Sequence, residues 1–133
     1  MNINMSITEK EVKRMMPELP NQIVCNISFA ITTAQKISAT EIQLNYEFAI
    51  EYHEYETPKF ATIATIKYKG YARIVADDQT IYDIIDRYHR HVPPPPFLAQ
   101  SILSYLTAES IMDARSIGLP LPISQLHIEG GMQ

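Results

Sequence analysis

Large apolar residues alternate with polar or small ones throughout residues 41–52. The apolar positions of this segment are Ile42, Leu44, Tyr46, Phe48, Ile50 and Tyr52. A period of two is typical of a β-strand that packs one face on a core and turns the other toward water. We therefore predict a long antiparallel strand here.

Two further segments carry strand patterns on either side of this one. Residues 23–31 have apolar side chains at every odd position, and residues 60–75 are rich in β-branched and aromatic side chains at both parities, with Gly70 indicating a bend or bulge. The connections at 34–40 and 53–58 are short enough for hairpins, which predicts an antiparallel meander. A strand that is apolar on both faces is either covered twice within the monomer or lies against a partner subunit.

The pattern changes to a helical one in the second half of the chain. An acidic pair at 77–78 can cap a helix whose apolar positions recur at i, i+3, i+4 and i+7. These positions are Ile81, Ile84, Ile85 and Tyr88. Prolines 93–96 end this helix because each ring removes a backbone donor, and Pro96 opens a second helix that stops near Gly118. The sequence thus predicts an α+β fold, an antiparallel meander followed by two helices.

The N-terminal segment has a local helix signal. It consists of a capping box, Thr8 with Glu11, and a hydrophobic staple, Ile7 with Val12. We predict a short helix from Glu9 to about Met16, ended by the prolines that follow it.

Length and composition favour one domain with one core. The 133 residues divide into an N-terminal arm at 1–22, a sheet at 23–76 and a helical part at 77–133. The arm, with four methionines and two prolines, either covers a binding groove removably or packs permanently on the sheet.

The net charge and the cysteine content indicate which binding partners and which cellular compartment to expect. The formal net charge of −4 repels phosphate backbones and anionic membranes, so we expect neither nucleic acid as a partner nor membrane insertion. No apolar run is long enough for a membrane span, and the first residues lack the features of a signal peptide. A single cysteine cannot form an internal disulfide, which fits a reducing cytoplasm.

Candidate catalytic chemistry is weak. His89 and His91 invite a metal interpretation, but positions i and i+2 on a helix point about 200° apart and cannot share one ion. Cys25 lies on the apolar stripe of its strand, as a buried and inert thiol does, and Glu47 and Glu51 fit a solvated strand face. No phosphate loop or hydrolase motif occurs. We predict no enzymatic activity, cofactor or metal.

The aromatic content is the feature that points to a function. The chain has eight tyrosines, four phenylalanines and no tryptophan. Tyrosine offers contact area at low entropic cost together with a polar tip that tolerates water. The candidate groove residues between sheet and helices are Tyr52, Tyr55, Tyr68, Tyr71, Tyr88 and Tyr105. The alternative is that most of them are core or rim residues.

The order of these features resembles the SecB family of polypeptide-binding export chaperones. Residues 24–77 look like the family's sheet, with a glycine interrupting the long strand at Gly70. The Pro-Phe-Leu-Ala run at 96–99 looks like the opening of the family's C-terminal helix, and Gly-Leu-Pro-Leu at 118–121 resembles the segment that follows it. The resemblance covers residues 24–128. The family sheet has four strands, so a fourth must come from the alternating Ile3, Met5 and Ile7 or be replaced by the N-terminal helix.

The resemblance implies a cytoplasmic, ATP-independent chaperone. It would hold unfolded or precursor polypeptides, with protein export as one route for its clients, and would work as a homo-oligomer, a dimer or tetramer. Phe97, at the opening of the second helix, joins the candidate polypeptide-binding residues. The alternatives are a SecB-like chaperone tied to a toxin–antitoxin pair, a hotdog-like thioesterase or ligand-binding domain, and a structural oligomer without clients.

Overall fold

A sheet with two helices on one face makes up the described part of the molecule. The computed structural model describes residues 1–20, 22–54 and 62–120, and the backbone of 126–129. The elements are β1 (Asn2–Arg14), β2 (Ile23–Ser38), β3 (Glu41–Glu54), β4 (Thr62–Val75), α1 (Asp78–His89), α2 (Pro96–Ser116) and β5 (Leu126–Glu129).

The five strands lie in the order β1-β4-β3-β2-β5. Neighbours from β1 to β2 are antiparallel, and the predicted meander of β2, β3 and β4 followed by two helices is confirmed. The short β5 adds a parallel edge, pairing only with residues 25–28 of β2.

The predicted N-terminal helix is wrong, because residues 9–14 belong to β1. This strand pairs with β4 along its whole length, and the register shifts by a bulge between Ile7 and Glu9. The Thr8 hydroxyl, expected to cap a helix, donates to the Lys69 carbonyl at 3.0 Å. The bulge moves the core-facing positions from odd to even numbers, so that Val12 joins the face of Ile7. Pairing with β4 outweighs the local helix preference.

The helices cover the face that carries the even residues of β3 and β4. α1 packs on β2, whereas α2 packs on β4 and β1. Asp77 caps α1 as predicted, since its carboxylate accepts from the Thr80 amide at 2.7 Å. Hydrogen bonds from the backbone and the side chain of Thr80 hold the pKa of Asp77 below its ordinary value. Pro96 begins α2, and Gly118 follows it with a positive φ of 72°.

The opposite face of the sheet is polar. The odd-numbered residues of β4 lie on this face. Lys67, Lys69 and Arg73 among them are exposed, whereas Ile63 and Thr65 at the start of the strand are buried. Glu47 lies 3.6 Å from Lys69 and Glu41 lies 3.7 Å from Arg73, so opposite charges meet across the strands. The predicted second apolar face of β4 is thus limited to one end of the strand.

Candidate polypeptide-binding groove

An apolar groove lies between β2 and the C-terminal end of α1. Its volume is about 280 Å³. It is lined by Phe29, Ala30, Ile31, Leu44, Ile84, Tyr88, His91, Val92, Pro93 and Pro94. His91 is the single ionisable side chain among these besides the tyrosine, so the groove offers its contents contact with apolar surface rather than a fixed charge.

The rim of the groove is formed where α1 stops and the chain reverses. The Val92 amide donates to the Arg87 carbonyl at 3.0 Å, and His91 takes a positive φ of 57°. The Arg87 guanidinium pairs with Asp83 at 3.2 Å and reaches the Pro93 carbonyl at 3.4 Å. Because proline fixes its own φ, residues 93–95 then continue as a stiff segment up to the start of α2, and the rim has a defined shape.

Tyr88 fixes this end of α1 to the sheet. Its hydroxyl donates to the Thr32 carbonyl of β2 at 3.0 Å, while its ring remains half-buried on the groove wall. An aromatic ring with a bonded hydroxyl presents its apolar body to the groove in a fixed orientation.

The groove lies beside a strand edge. On the side of β2 away from β3, β5 pairs with residues 25–28, and no strand in the described part of the chain pairs with residues 29–38. Among the described residues, the backbone groups of 29–38 on this edge have no strand partner, and the Thr32 carbonyl accepts from the Tyr88 hydroxyl. An extended polypeptide paired here can place side chains in the adjacent groove.

The structure distributes the candidate binding residues over several locations. Tyr52 and Tyr68 are fully buried, with their hydroxyls donating to the Pro120 carbonyl and the Asp113 carboxylate. Burial raises the pKa of both phenols above the ordinary value, and at Tyr68 the Asp113 bond adds to this. They belong to the core in the described fold.

The remaining candidates are at the surface. Tyr71 faces the polar side of the sheet, and Phe97 and Tyr105 are exposed on α2. Tyr55 lies outside the described residues. Of the whole set, Tyr88 lines the groove between β2 and α1.

Apart from Tyr88, the groove residues are not among the sequence candidates: the residues from β2, β3 and α1 are predicted only as strand and helix positions, and those at 91–94 form the rim. Their signal is the proline run directly after a helix, which the sequence shows as a stiff corner. It does not show which strand the corner faces, because that contact joins segments about 60 residues apart in the chain.

The residues considered for catalysis are buried or lie on the polar face of the sheet. Burial raises the pKa of the Cys25 thiol to about 12, which disfavours the reactive thiolate. Glu51 lies 3.1 Å from His53 on the polar face of the sheet. Among the described residues, no three His, Cys, Asp or Glu side chains are close enough together to bind a metal ion. No described helix has the length and apolar character needed to cross a bilayer.

Comparisons with known proteins assign no family. No model of a protein family matches the chain, and a search of curated proteins finds no match.

Proposed function

We propose that this protein is a cytoplasmic, ATP-independent chaperone of SecB-like type that holds non-native polypeptides. The observation that carries the proposal is the apolar groove next to the edge of β2 at residues 29–38, which pairs with no strand in the described part of the chain. Two elements of polypeptide recognition are thereby combined, a backbone edge that accepts any sequence and a groove that favours apolar side chains.

The lining of the groove supports an apolar client segment. Its walls are mainly aliphatic, aromatic and proline side chains around a volume of about 280 Å³. It suits side chains of a chain that passes along the edge of β2. Holding would then result from the removal of apolar client segments from water, with no chemical step and no nucleotide.

The order of elements also supports this proposal over the thioesterase alternative. In a hotdog-like domain the long helix precedes most strands, whereas here both helices follow β1 to β4.

The experiment compares two valines with nearly equal exposure. Val92 lines the groove and is 39% exposed, and Val75 at the end of β4 is 40% exposed and lies elsewhere. Wild-type protein, Val92→Asn and Val75→Asn are added at equal concentration to a denatured client diluted into buffer without nucleotide, and light scattering follows aggregation. We expect suppression by the wild type and by Val75→Asn, and several-fold weaker suppression by Val92→Asn.

Circular dichroism and thermal unfolding check that both variants are folded. Lack of suppression by the wild type with several clients would contradict the chaperone proposal. Equal suppression by all three proteins would contradict the assignment of the groove as the binding site.

A further inference from the structure

Two β-bulges lie at the same level of the sheet. One row of paired residues crosses four strands, and its members are Ile7, Gly70, Tyr46 and Ile31. Directly after this row the register of β1 shifts at Thr8 and that of β2 shifts at Thr32. A bulge bends its strand and redirects side chains, and bulges are frequent beside functional sites. The chain thus has an extra threonine on each side of the central pair β4 and β3.

A pocket of about 380 Å³ lies between these two threonines, on the sheet face opposite the helices. We call it the polar pocket, and its lining includes Thr8, Thr32, Asn45, Glu47, Lys69 and Tyr71. Tyr71 pairs with Ser6 on one side and with Asn45 on the other, and it contributes a half-buried aromatic ring. The polar pocket is separate from the groove between β2 and α1, which lies on the other face of the sheet.

The two threonines offer hydrogen-bond acceptors in fixed positions. The Thr8 hydroxyl donates to the Lys69 carbonyl at 3.0 Å, and the Thr32 hydroxyl donates to the Asn45 carbonyl at 3.3 Å. Each hydroxyl hydrogen is therefore used within the sheet. The lone pairs of the two hydroxyl oxygens remain to accept hydrogen bonds from a ligand.

An amide donor is held beside these acceptors. The Arg73 Nε donates to the Gln43 Oε1 at 3.1 Å, and the Gln43 Nε2 donates to the Asn45 Oδ1 at 3.2 Å. These two bonds fix the orientation of the Asn45 amide, so its NH₂ group is left to donate to a ligand. A donor and several acceptors are thus grouped with the ring of Tyr71.

The polar pocket has a small excess of negative charge. Its charged lining residues are Glu9, Glu47 and Lys69. The Lys69 ammonium lies 3.6 Å from the Glu47 carboxylate, and Glu9 is its cross-strand neighbour on β1. Two carboxylates against one ammonium repel phosphate and carboxylate groups, which disfavours an anionic ligand. A purely apolar ligand is disfavoured as well, because it would remove polar groups from water without replacing their hydrogen bonds.

We infer that the polar pocket binds a neutral sugar ring. The C–H groups on one face of such a ring pack on the apolar body of Tyr71. The sugar hydroxyls, each of which can donate and accept, bond to the Asn45 amide, the threonine oxygens and the glutamates. Because a single ring makes few contacts in an open pocket, we expect a dissociation constant of about 1 mM. This binding is additional to the holding of polypeptides and does not depend on it.

The test is a titration followed in amide NMR spectra of the isotope-labelled full chain. The neutral probes are the methyl glycosides of glucose, galactose and mannose, and N-acetylglucosamine. With at least one of them we expect saturable shifts of the Asn45 side-chain NH₂ and of the amides of residues 69–71, with residues 88–92 at the groove rim unchanged. Glucose-6-phosphate is expected to bind about 10-fold more weakly or less tightly still, because the pocket repels its charge.

Four variants separate the ring of Tyr71 from other contributions. We expect Tyr71→Ala to weaken sugar binding about 10-fold or more and Tyr71→Phe, which keeps the ring, to change it less than about 3-fold. Tyr82→Ala is the matched control, since Tyr82 is a 65% exposed tyrosine on α1, and it should bind as the wild type does. Asn45→Asp keeps the side-chain size but removes the NH₂ donor, so it is expected to weaken binding about 10-fold as well. Circular dichroism checks that each variant is folded, and Asn45→Asp carries the test should Tyr71→Ala not fold.

Three results would overturn the inference. One is the absence of saturable shifts with every neutral probe up to about 100 mM, well above the expected dissociation constant. Another is unchanged binding by folded Tyr71→Ala or Asn45→Asp, which would place the sugar elsewhere. The third is binding of glucose-6-phosphate at least as tight as that of the neutral sugars, which would assign the shifts to the Lys69 charge.

Discussion

Gly70 lets three strands meet at one point of the sheet. A Cβ atom there would lie 2.0 Å from the Ser6 carbonyl oxygen and 2.6 Å from the Tyr46 hydroxyl, which itself donates to Ser6 at 2.8 Å. The obstacle is backbone of β1, so it cannot rotate away. We expect Gly70→Ala to lower the free energy of unfolding by about 2–4 kcal/mol, measured by urea denaturation.

The comparison is Gly118→Ala, because Gly118 has a positive φ that alanine adopts only at a cost. We expect this variant to lose about 1 kcal/mol of unfolding free energy. A smaller loss at position 70 than at 118 would contradict the close approach.

The buried thiol and phenols make stability depend on alkaline pH. Burial raises the pKa of Cys25 to about 12 from an ordinary value of 9.0, and burial with the Tyr105 charge raises the pKa of Tyr46 to about 12 from 10.0. These groups lose protons in the unfolded chain first, so the stability they contribute is complete below pH 9 and declines as pH rises toward 12. Lys10 acts in the same direction: burial would lower its pKa, but Asp113 and Glu109 together raise it.

Urea unfolding at a series of pH values from neutral to alkaline tests this dependence. We expect the free energy of unfolding of the wild type to begin falling above pH 9. In the Cys25→Ala variant we expect the fall to begin about one pH unit higher, because the buried tyrosines then start to ionise in the unfolded chain. A wild-type profile that stays level to pH 11, or one that Cys25→Ala leaves unchanged in shape, would contradict the burial of these groups.

Among the elements, β1 and α2 are fastened together at their C-terminal ends. The Arg14 guanidinium donates to the carbonyls of Met16 and Pro17 at 2.8 and 2.7 Å, and to that of Ile117, just beyond α2, at 2.9 Å. A cation at this place also complements the negative end of the helix. These contacts favour a permanent structural role for the N-terminal segment over a removable cover.

We expect Arg14→Ala to destabilise the protein by about 1–2 kcal/mol, since three charge-assisted bonds are lost at a partly solvated site. Lys13→Ala is the matched control: the neighbouring side chain is 65% exposed and pairs only weakly with Glu11, so its loss should change stability by less than about 0.5 kcal/mol. Thermal unfolding of both variants measures the difference. Equal effects would show that Arg14 does not fasten the two elements.

The elements also show what could be predicted from the sequence. The strict alternation of β3 and the spacing of apolar residues in α1 depend on local patterns, and both were predicted. For β1, the alternating Ile3, Met5 and Ile7 allow a strand as one alternative, but the bulge after Ile7 breaks the period of two and leaves a helix-like spacing to Val12. The candidate tyrosines were chosen by residue type, and residue type does not separate Tyr68, in the core, from Tyr88, on the groove. The groove itself depends on a contact between distant segments.

Within the molecule as a whole, the groove and α2 belong to different halves of the helical layer. The groove lies where α1 meets β2, and α2 packs over β4 and β1. A client bound in the groove therefore leaves the contacts of α2 with the sheet in place.

The central claim, that an extended client adds to β2 beside the groove, is tested most directly by amide hydrogen exchange. Exchange is followed by mass spectrometry with and without a saturating, reduced and carboxymethylated client. We expect slower exchange with client in residues 29–38, which pair with no described strand on the outer side of β2, and in residues 88–92 at the groove rim, with the central strands β3 and β4 unchanged. Unchanged exchange in residues 29–38 at saturation, with or without protection elsewhere, would contradict it.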